Sequence, residues 1–385
     1  MNVLTESEPV RVLFCLGTRP EMIKIAPLVI RLRQLGGVAI LVNTGQHADL
    51  LAPLFDLFEI TADYDLMAMS SSHGLNALVA RIVERLDPVL EKEQPDYVIV
   101  QGDTATALGG ALASFNRKIP VAHVEAGLRS GNPLSPFPEE MNRRLVTQMA
   151  ALHFAATEFN QATLLKEGIG AEAIHVTGNS VVDALHYTLK LTRPGSELDR
   201  LQAQVAGRKI VLLTTHRREN FGDAMRTHLR SLRAFVEARP ELCIVFPVHP
   251  NPNVKWAAEQ ELTGCDQIIL TAPMGYADFV HLLSDAWLIV SDSGGIQEEA
   301  VSLGKPILVL RENTERPEGV HIGVARLVGA APEQLTKRLV EAVADVGWFE
   351  LAAKAEKVYG DGLTADRISR ILIDRHQKCV GLASQ

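Results

Sequence analysis

The chain has 385 residues, of which 47% are hydrophobic, and its 38 basic and 46 acidic residues give a formal net charge of −8. This length exceeds one typical hydrophobic core and predicts two domains, and the hydrophobic content is that of a globular protein. The acidic balance argues against a nucleic-acid partner. Because no apolar run of about 18 residues and no signal-peptide pattern is present, we expect a cytoplasmic protein without a membrane segment.

Strand and helix signals alternate along the chain. The apolar strands predicted in the first half are 10–17, 38–43, 97–101, 119–125, 153–156 and 174–177. Segment 191–208, which contains Thr-Arg-Pro-Gly-Ser, is interpreted as part of the connection between domains. The alternation then restarts, with strands predicted at 210–215, 242–248, 267–270, 287–290, 306–310 and 326–328.

This alternation predicts an α/β protein with two Rossmann-like, doubly wound parallel-sheet domains. Residues 1–185 are assigned to the N-terminal domain and residues 186–363 to the C-terminal domain. A helix at about 364–385 is expected to pack back on the first domain. If the two sheets face each other, the loops GTRPE and TTHRRE line one cleft.

The stretch 288–316 predicts a strand, a glycine turn, a helix and a second strand. Gly294 and Gly295 lie at the carboxyl end of the strand and the amino end of the helix, where free N–H groups favour a phosphate. Glu299, one turn into the helix, is placed to bind ribose hydroxyls, and Arg316 is placed to reach the same phosphate. The structural alternative is an ordinary βα turn with a polar N-cap.

Charged residues of the first half cluster at strand carboxyl ends or at the helix starts that follow, the edge where such sheets bind ligands. They are Arg19, Lys24, Asp103, Glu125, Arg129, Glu139 and Glu140. Structural alternatives exist for most of them, such as an N-cap for Asp103 and a first-turn acid for Glu139. The second half places His216, Arg217 and His249 at strand ends and Phe279 on a helix, where the alternatives are loop residues and a core aromatic.

Nucleotide-binding groups in one domain and several acids in the other indicate nucleotide-sugar chemistry. The first strand–helix loop is not G-x-G-x-x-G, so NAD chemistry has little support. No G-x-x-x-x-G-K-[ST] sequence is present, which argues against a P-loop nucleotidase. The four cysteines are widely spaced and form no zinc pattern.

The chain resembles the non-hydrolysing UDP-N-acetylglucosamine 2-epimerases from about Val10 to Arg375. The matching blocks are GTRPEMIKIAPL, TGQH, QGDT, HVEAGLRS, SPFPEEMNRR, THRRENFG, PVHPNPNV, SDSGGIQEE, LGKPILVLR and TERPEG. The resemblance implies a GT-B fold with the active site between two Rossmann-like domains. It also implies interconversion of UDP-N-acetylglucosamine and UDP-N-acetylmannosamine by inversion at C2. In that reaction, anti elimination of UDP gives 2-acetamidoglucal, to which UDP adds back.

The resemblance also implies roles for individual residues. The implied catalytic residues are Lys24, Asp103, Glu125, Glu139 and His216. The implied contacts to UDP or substrate are Arg19, His216, Met274, Phe279, Ser293, Gly294, Gly295, Glu299 and Arg316. Many bacterial members bind a second substrate molecule as an activator, and the residues at that regulatory site are Gln46, His47, His73, Arg217 and His249. Ser72 and His73 stand where activated members carry Arg and Gln, so activation is left open.

No cofactor and no metal are expected, and the family implies a UDP-sugar substrate, a homodimer and a role in polysaccharide biosynthesis. The first alternative is the same reaction on a UDP-2,3-diacetamido uronate sugar. A second is a hydrolysing epimerase that releases N-acetylmannosamine and UDP. A GT-B glycosyltransferase and a non-catalytic nucleotide-sugar sensor are the remaining alternatives. The acid cluster argues against both of these.

Overall fold

The computed structural model describes residues 8–46, 48–69, 74–191, 195–217, 220–329, 331–355 and 357–383. The chain forms two compact units. The N-terminal unit contains Met1–Ala184 and Gly360–Gln385, and the C-terminal unit contains Leu185–Tyr359. Each unit contains a parallel sheet with helices between successive strands, which confirms the predicted α/β class.

The N-terminal unit is built on a seven-stranded sheet. Its strands are β1 Arg11–Leu16, β2 Val38–Asn43, β3 Tyr64–Asp65, β4 Tyr97–Gln101, β5 Val121–Ala126, β6 Leu152–Ala155 and β7 Ile174–Val176. The helices from its start to its boundary are α1 Arg19–Gln34, α2 Ala48–Leu57, α3 Leu75–Glu93, α4 Ala105–Asn116, α5 Glu139–Met149, α6 Glu158–Lys166 and α7 Ser180–Leu191. The strand order is β3-β2-β1-β4-β5-β6-β7.

The C-terminal unit is built on a six-stranded sheet. Its strands are β8 Lys209–Thr214, β9 Leu242–Pro247, β10 Ile268–Thr271, β11 Leu288–Ser291, β12 Ile307–Val309 and β13 Ala325–Leu327, in the order β10-β9-β8-β11-β12-β13. Its helices are α8 Ser196–Val205, α9 Asp223–Glu237, α10 Pro252–Leu262, α11 Tyr276–Asp285, α12 Gly294–Ser302, α13 Pro317–His321, α14 Pro332–Ala344 and α15 Val346–Lys354.

The apolar runs that form the central strands are buried on both faces of each sheet, whereas the edge strand β10 is only partly buried. In β8, Val211 and Leu213 belong to one hydrophobic cluster, and Leu212 belongs to the cluster on the opposite face. Alternation of side chains between faces explains this division, and helices covering both faces explain why the strands are continuously apolar.

Segment 191–208 corrects one sequence interpretation. Its polar, Pro- and Gly-containing composition suggested a connection between domains, but it contributes α8 to the C-terminal unit. Leu198, Leu201 and Val205 of this helix are buried in a hydrophobic cluster of that unit. Their spacing of three and four residues places them on one helix face, a signal that the polar residues between them obscured.

The final helix, α16 Thr364–Ala383, belongs to the N-terminal unit and packs on α1. The backbone N–H of Ala365 donates to the carboxylate of Asp183 at 2.9 Å. Asp366 accepts two hydrogen bonds from the guanidinium of Arg31, at 2.8 and 2.6 Å. Among the described helices, none is long and apolar enough to cross a lipid bilayer.

The strand orders locate a switch point in each sheet. The order reverses between β1 and β4 in the N-terminal unit and between β8 and β11 in the C-terminal unit. Open parallel sheets bind ligands outside the carboxyl ends of strands at such a switch point. The loops that follow β1, β4 and β5, and those that follow β8 and β11, carry most of the candidate residues.

Candidate active site

Lys24 and Glu125, both predicted to be catalytic, form a buried ion pair in the N-terminal unit. Their side chains are only 7% and 5% exposed. Gln101 donates a hydrogen bond to Oε2 of Glu125 at 2.5 Å, and Nδ2 of Asn179 lies 3.4 Å from Oε1. A buried charge is costly unless it is paired and hydrogen-bonded, and these partners supply both kinds of contact. Together they hold the Glu125 carboxylate in one position.

The backbone of Glu125 is in the left-handed region, with φ of 65°. The register between β5 and β6 shifts at this point, between Val124 and Ala126. A residue other than glycine held in this region costs on the order of 1–3 kcal/mol, and such residues cluster at active sites. The strain at Glu125 therefore supports a functional reason for this conformation.

Asp103 lies just after β4 and forms an ion pair with Arg143 of α5, with 2.6 Å between Oδ2 and the guanidinium nitrogen. The neighbouring Asn142 donates to the carbonyl oxygen of Asp103 at 2.8 Å. Helix α5 therefore positions this acid through both its side chain and its backbone. The sequence interpretation missed Arg143, because an arginine within a helix gives no signal that separates a buried residue from a surface one.

The adjacent acids at the start of α5 have different surroundings. Glu140 is fully buried and accepts hydrogen bonds from the N–H of Ser130 at 2.8 Å and from Arg144 at 2.9 Å. Glu139 is partly exposed, and no described residue forms an ion pair or hydrogen bond with its carboxylate. Glu140 therefore holds the preceding loop, and Glu139 is the acid that remains accessible.

Glu21 is a second residue that the sequence interpretation missed. Its carboxylate accepts hydrogen bonds from the N–H groups of Gly17 and Thr18, at 2.9 and 2.8 Å, and from the hydroxyl of Thr104. Burial raises its pKa to about 7, partly offset by these hydrogen bonds. Glu21 thereby ties the loop of Arg19 to the start of α4. Arg19 itself is partly exposed, and its side chain has no ion pair with any described residue.

In the C-terminal unit, Ser293 is the N-cap of α12, and Gly294 and Gly295 are its first two residues. The N–H of Ser293 donates to the hydroxyl of Ser291 at 3.0 Å, which fixes the turn. A Cβ atom added at Gly295 would meet no atom within 4 Å, so its backbone is open to a ligand. The turn therefore leaves the start of α12 open, which is the feature on which the prediction of a phosphate site depends.

The two glycines differ in what a methyl group would contact, which gives a matched pair of variants. A Cβ at Gly294 would lie 2.6 Å from a guanidinium nitrogen of Arg316. We expect Gly294→Ala to lower the free energy of unfolding by about 1–3 kcal/mol, as overpacking of a tight site does. Gly295→Ala should fold as stably as the unmodified protein but bind UDP at least about tenfold more weakly, a loss of about 1.4 kcal/mol in binding free energy. Urea unfolding and calorimetry with UDP test both expectations.

Arg316 is buried beneath this turn, with its side chain 8% exposed. Its Nε lies 2.8 Å from Glu298 and another guanidinium nitrogen lies 3.1 Å from Glu315. Glu315 also pairs with Arg311 at 2.7 Å, and these arginines lower the pKa of the buried Glu315 in spite of its burial. Arg316 thus belongs to a network of arginines and glutamates directly behind Gly294.

The predicted nucleoside contacts lie on α11 and α12 and in the loop before α11. Glu299 is 7% exposed, and the hydroxyl of Tyr276 lies 3.5 Å from its Oε1. Met274 is buried in a hydrophobic cluster, against which the partly buried Phe279 packs. Tyr276 was not predicted, because the sequence gives no sign that its hydroxyl reaches a carboxylate on another helix.

His216 follows β8, and its Nδ1 lies 3.3 Å from the carboxylate of Asp292. Its ring stacks on that of His249, with centroids 5.3 Å apart and planes at 21°. Burial and the neighbouring His216 lower the pKa of His249. One predicted catalytic residue and one predicted regulatory residue are therefore in direct contact.

The other regulatory candidates are placed as follows. Gln46, in the N-terminal unit, accepts a hydrogen bond from the hydroxyl of Thr106 at 3.2 Å. In the C-terminal unit, the guanidinium of Arg217 lies 3.7 Å from Glu315. His47 and His73 lie outside the described residues. Within the described ranges, no group of three or more His, Cys, Asp or Glu side chains is arranged to hold a metal ion.

His123 and His153 are opposite each other on β5 and β6 and are buried. Burial lowers the pKa of His123 to about 3 and that of His153 to about 4, from an ordinary 6.5. Below about pH 6.5 the unfolded chain binds protons at these histidines and the folded chain does not. Their contribution to stability is therefore present above that pH and is lost as the pH falls. The raised pKa of Glu21 acts in the opposite direction, because the folded chain holds that proton up to about pH 7.

We therefore expect His123→Gln to change the pH dependence of unfolding. Between about pH 6 and pH 5, each buried neutral histidine lowers the free energy of unfolding by on the order of 1.4 kcal/mol for each unit by which the pH falls. The variant should lose stability less steeply than the unmodified protein over this range. Urea unfolding at several pH values measures the difference, and equal slopes would show that His123 does not remain neutral in the folded protein.

Known proteins resemble the chain over nearly its whole length. Residues 33–373 match the family model described as UDP-N-acetylglucosamine 2-epimerase. The UDP-N-acetylglucosamine 2-epimerase of Yersinia pestis is 44% identical over 368 residues, covering 94% of this chain and 98% of that protein. The enzyme of the same name from Salmonella typhimurium is 42% identical over 371 residues, with the same coverage.

A solved structure gives the same result. It is the crystal structure of UDP-GlcNAc 2-epimerase from Neisseria meningitidis bound to UDP-GlcNAc. Its TM-score is 0.87 at 39% identity, covering 95% of this chain and 100% of that chain. The two parallel sheets and this likeness confirm the GT-B fold class, and the sequence blocks correctly predicted a UDP-N-acetylglucosamine 2-epimerase. The chain belongs to the UDP-N-acetylglucosamine 2-epimerase family.

Proposed function

We propose that the protein interconverts UDP-N-acetylglucosamine and UDP-N-acetylmannosamine by a non-hydrolysing reaction. The observation that carries this proposal is the buried pair of Lys24 and Glu125, with Asp103 at the end of the neighbouring strand. A protein that only binds a nucleotide sugar has no need of a strained, buried acid at this edge. Family membership and the UDP-GlcNAc in the Neisseria meningitidis structure support the choice of sugar.

The reaction begins with removal of the C2 proton by a carboxylate. The electron pair of that C–H bond forms the C1–C2 double bond of 2-acetamidoglucal as the C1–O bond breaks and UDP leaves. A proton is then delivered to the opposite face of C2, and UDP adds back at C1. Because protons are exchanged on two faces, at least two of Asp103, Glu125 and Glu139 take part. In this scheme Lys24 fixes the position of Glu125 and lies at the reacting centre.

Departure of UDP requires stabilisation of the charge that develops on the diphosphate. Arg19, His216 and the N–H groups at the start of α12 are the proposed donors. Ser293, Gly294 and Gly295 supply that helix start, and its open backbone supports this role. Arg316 lies against Gly294 and adds positive charge behind the turn, although Glu298 and Glu315 offset part of it.

Glu299 is the proposed partner of the ribose hydroxyls, and Phe279 and Met274 are proposed to contact the nucleoside. Gln46, His47, His73, Arg217 and His249 remain the proposed regulatory site. The proposed domains are residues 1–185 with the final helix, and residues 186–363. The proposal extends to a homodimer in the cytoplasm whose product enters polysaccharide biosynthesis.

Product analysis separates this reaction from the alternatives. The purified protein is incubated with UDP-N-acetylglucosamine, and nucleotides and free sugars are separated by anion-exchange chromatography. We expect UDP-N-acetylmannosamine and at most traces of free sugar. Release of N-acetylmannosamine and UDP in equal amounts would assign the protein to the hydrolysing reaction. Turnover only of a UDP-2,3-diacetamido uronate sugar would keep the chemistry and change the substrate.

A further inference from the structure

Asp292, at the end of β11, is fully buried and organises the loop that follows β8. Its Oδ2 accepts hydrogen bonds from the Thr215 hydroxyl at 2.8 Å and from the N–H groups of His216 and Arg217, both at 3.0 Å. Nδ2 of Asn220 donates to the same oxygen at 2.9 Å. This one carboxylate therefore holds the loop by several bonds.

The second oxygen of Asp292 faces the imidazole of His216, with 3.3 Å between Oδ1 and Nδ1. A carboxylate only accepts hydrogen bonds, so this contact favours the tautomer that carries its hydrogen on Nδ1. Nε2 is then the nitrogen presented to a ligand, and the side chain is 41% exposed. The ring of His249, stacked on that of His216, opposes rotation of the ring out of this orientation.

We propose that Asp292 is a positioning residue for the reaction, and that it acts through His216 by fixing its tautomer and orientation. In this orientation Nδ1 stays beside the Asp292 carboxylate, 3.3 Å from its Oδ1. When the ring is protonated, Nε2–H donates to the leaving diphosphate, and the carboxylate stabilises the imidazolium. This inference rests on the proposed role of His216 in the departure of UDP.

The decisive variant is Asp292→Asn. An amide in this place can donate to Nδ1 of His216, which moves the ring hydrogen to Nε2 and removes the acceptor that supports the imidazolium. We expect kcat to fall at least about 10²-fold, with a smaller change in KM, because the lost interaction acts in the transition state. In the His216→Asn background, Asp292→Asn should cause less than about a threefold further loss, since both changes remove one function.

One control variant separates positioning from a general loss of structure. Thr215→Val removes one hydrogen-bond donor to Asp292 but leaves the contact between Asp292 and His216. This variant should keep at least about a third of kcat, because the lost hydrogen bond does not involve the His216 ring. The proposal would be contradicted if Asp292→Asn lowered kcat in the His216→Asn background by as much as it does alone. An Asp292→Asn variant with unchanged kcat would also contradict it.

A measurement without turnover tests the same idea even if the proposed substrate is not converted. The imidazole nitrogens are observed by NMR in protein labelled with ¹⁵N-histidine, and His216→Asn identifies the signals. We expect a hydrogen on Nδ1 in the unmodified protein and its loss from Nδ1 in Asp292→Asn. A hydrogen on Nε2 alone in the unmodified protein would overturn the inference. Absence of turnover together with the expected tautomer would overturn only the proposed function.

Discussion

Asp103→Asn and Glu125→Gln are each expected to lower kcat for epimerisation by about 10³-fold, within the range that acid–base catalysis contributes. Both changes preserve the size of the side chain but remove the group that exchanges a proton with C2. The amide introduced by Glu125→Gln still has one oxygen that can accept a hydrogen bond from Lys24. UDP binding should change less than about threefold, because the proposed UDP contacts lie mainly in the C-terminal unit. Initial rates and calorimetry with UDP measure the two quantities.

Glu158→Gln is a matched control for these variants. Glu158 is the first residue of α6 and follows β6, so it occupies the same place in its strand–helix unit as Glu139, the first residue of α5. It is exposed, and no described residue forms an ion pair with it. Its substitution should leave kcat unchanged. Unaltered rates in both Asp103→Asn and Glu125→Gln would contradict the proposed catalytic roles.

Lys24→Met is expected to abolish turnover and to lower the free energy of unfolding by about 3–5 kcal/mol. The reason for the loss of stability is that removing one partner leaves the other charge buried and unpaired. The paired variant Lys24→Met/Glu125→Leu removes both charges and should recover most of the lost stability, because apolar replacement of a buried ion pair is often neutral. It should remain inactive.

Urea unfolding and initial rates distinguish the two effects of Lys24→Met. Loss of activity with recovered stability in the double variant would separate the catalytic role of the pair from its structural role. A single variant as stable as the unmodified protein would show that the Lys24–Glu125 pair is not held buried in solution. An active double variant would show that neither residue is needed for the reaction.

The meeting of Lys24 and Glu125 illustrates what the sequence alone can predict. The residues are 101 positions apart, yet both were placed at one sheet edge because one follows β1 and the other ends β5. The carboxyl ends of parallel strands share one edge of a sheet, and the position of each residue in its strand–helix unit was then sufficient for this prediction. The open helix start at Gly294 and Gly295, the proposed phosphate site, was located by the same reasoning.

The partners of these residues could not be predicted in the same way. Gln101 and Asn179 are neutral amides at the ends of strands or loops, and Arg143 lies within a helix. Such residues have no periodicity or composition signal, and their importance depends on which side chain lies opposite in the folded chain. The left-handed backbone of Glu125 is equally hidden, because glycine is the residue that usually marks this conformation.

In the sequence, Asp292 belongs to the turn whose structural alternative was an ordinary βα turn with a polar N-cap. Its position between a strand and a helix start fits that role, but the folded chain uses its carboxylate for the loop after β8 and for His216. The pairing of β8 with β11 brings these two strand ends together across 76 residues of sequence. The contact is therefore a consequence of strand order. The sequence pattern predicts the class of fold but not the order of the strands.

Proton NMR of the purified protein with UDP-N-acetylglucosamine in D₂O tests the proposed reaction most directly. Elimination and re-addition predict UDP-N-acetylmannosamine with UDP still attached and with deuterium at C2, because the C2 proton exchanges with a carboxylate. The recovered UDP-N-acetylglucosamine should also gain deuterium at C2. Formation of the epimer with its original hydrogen at C2, or release of free N-acetylmannosamine, would contradict the proposed reaction.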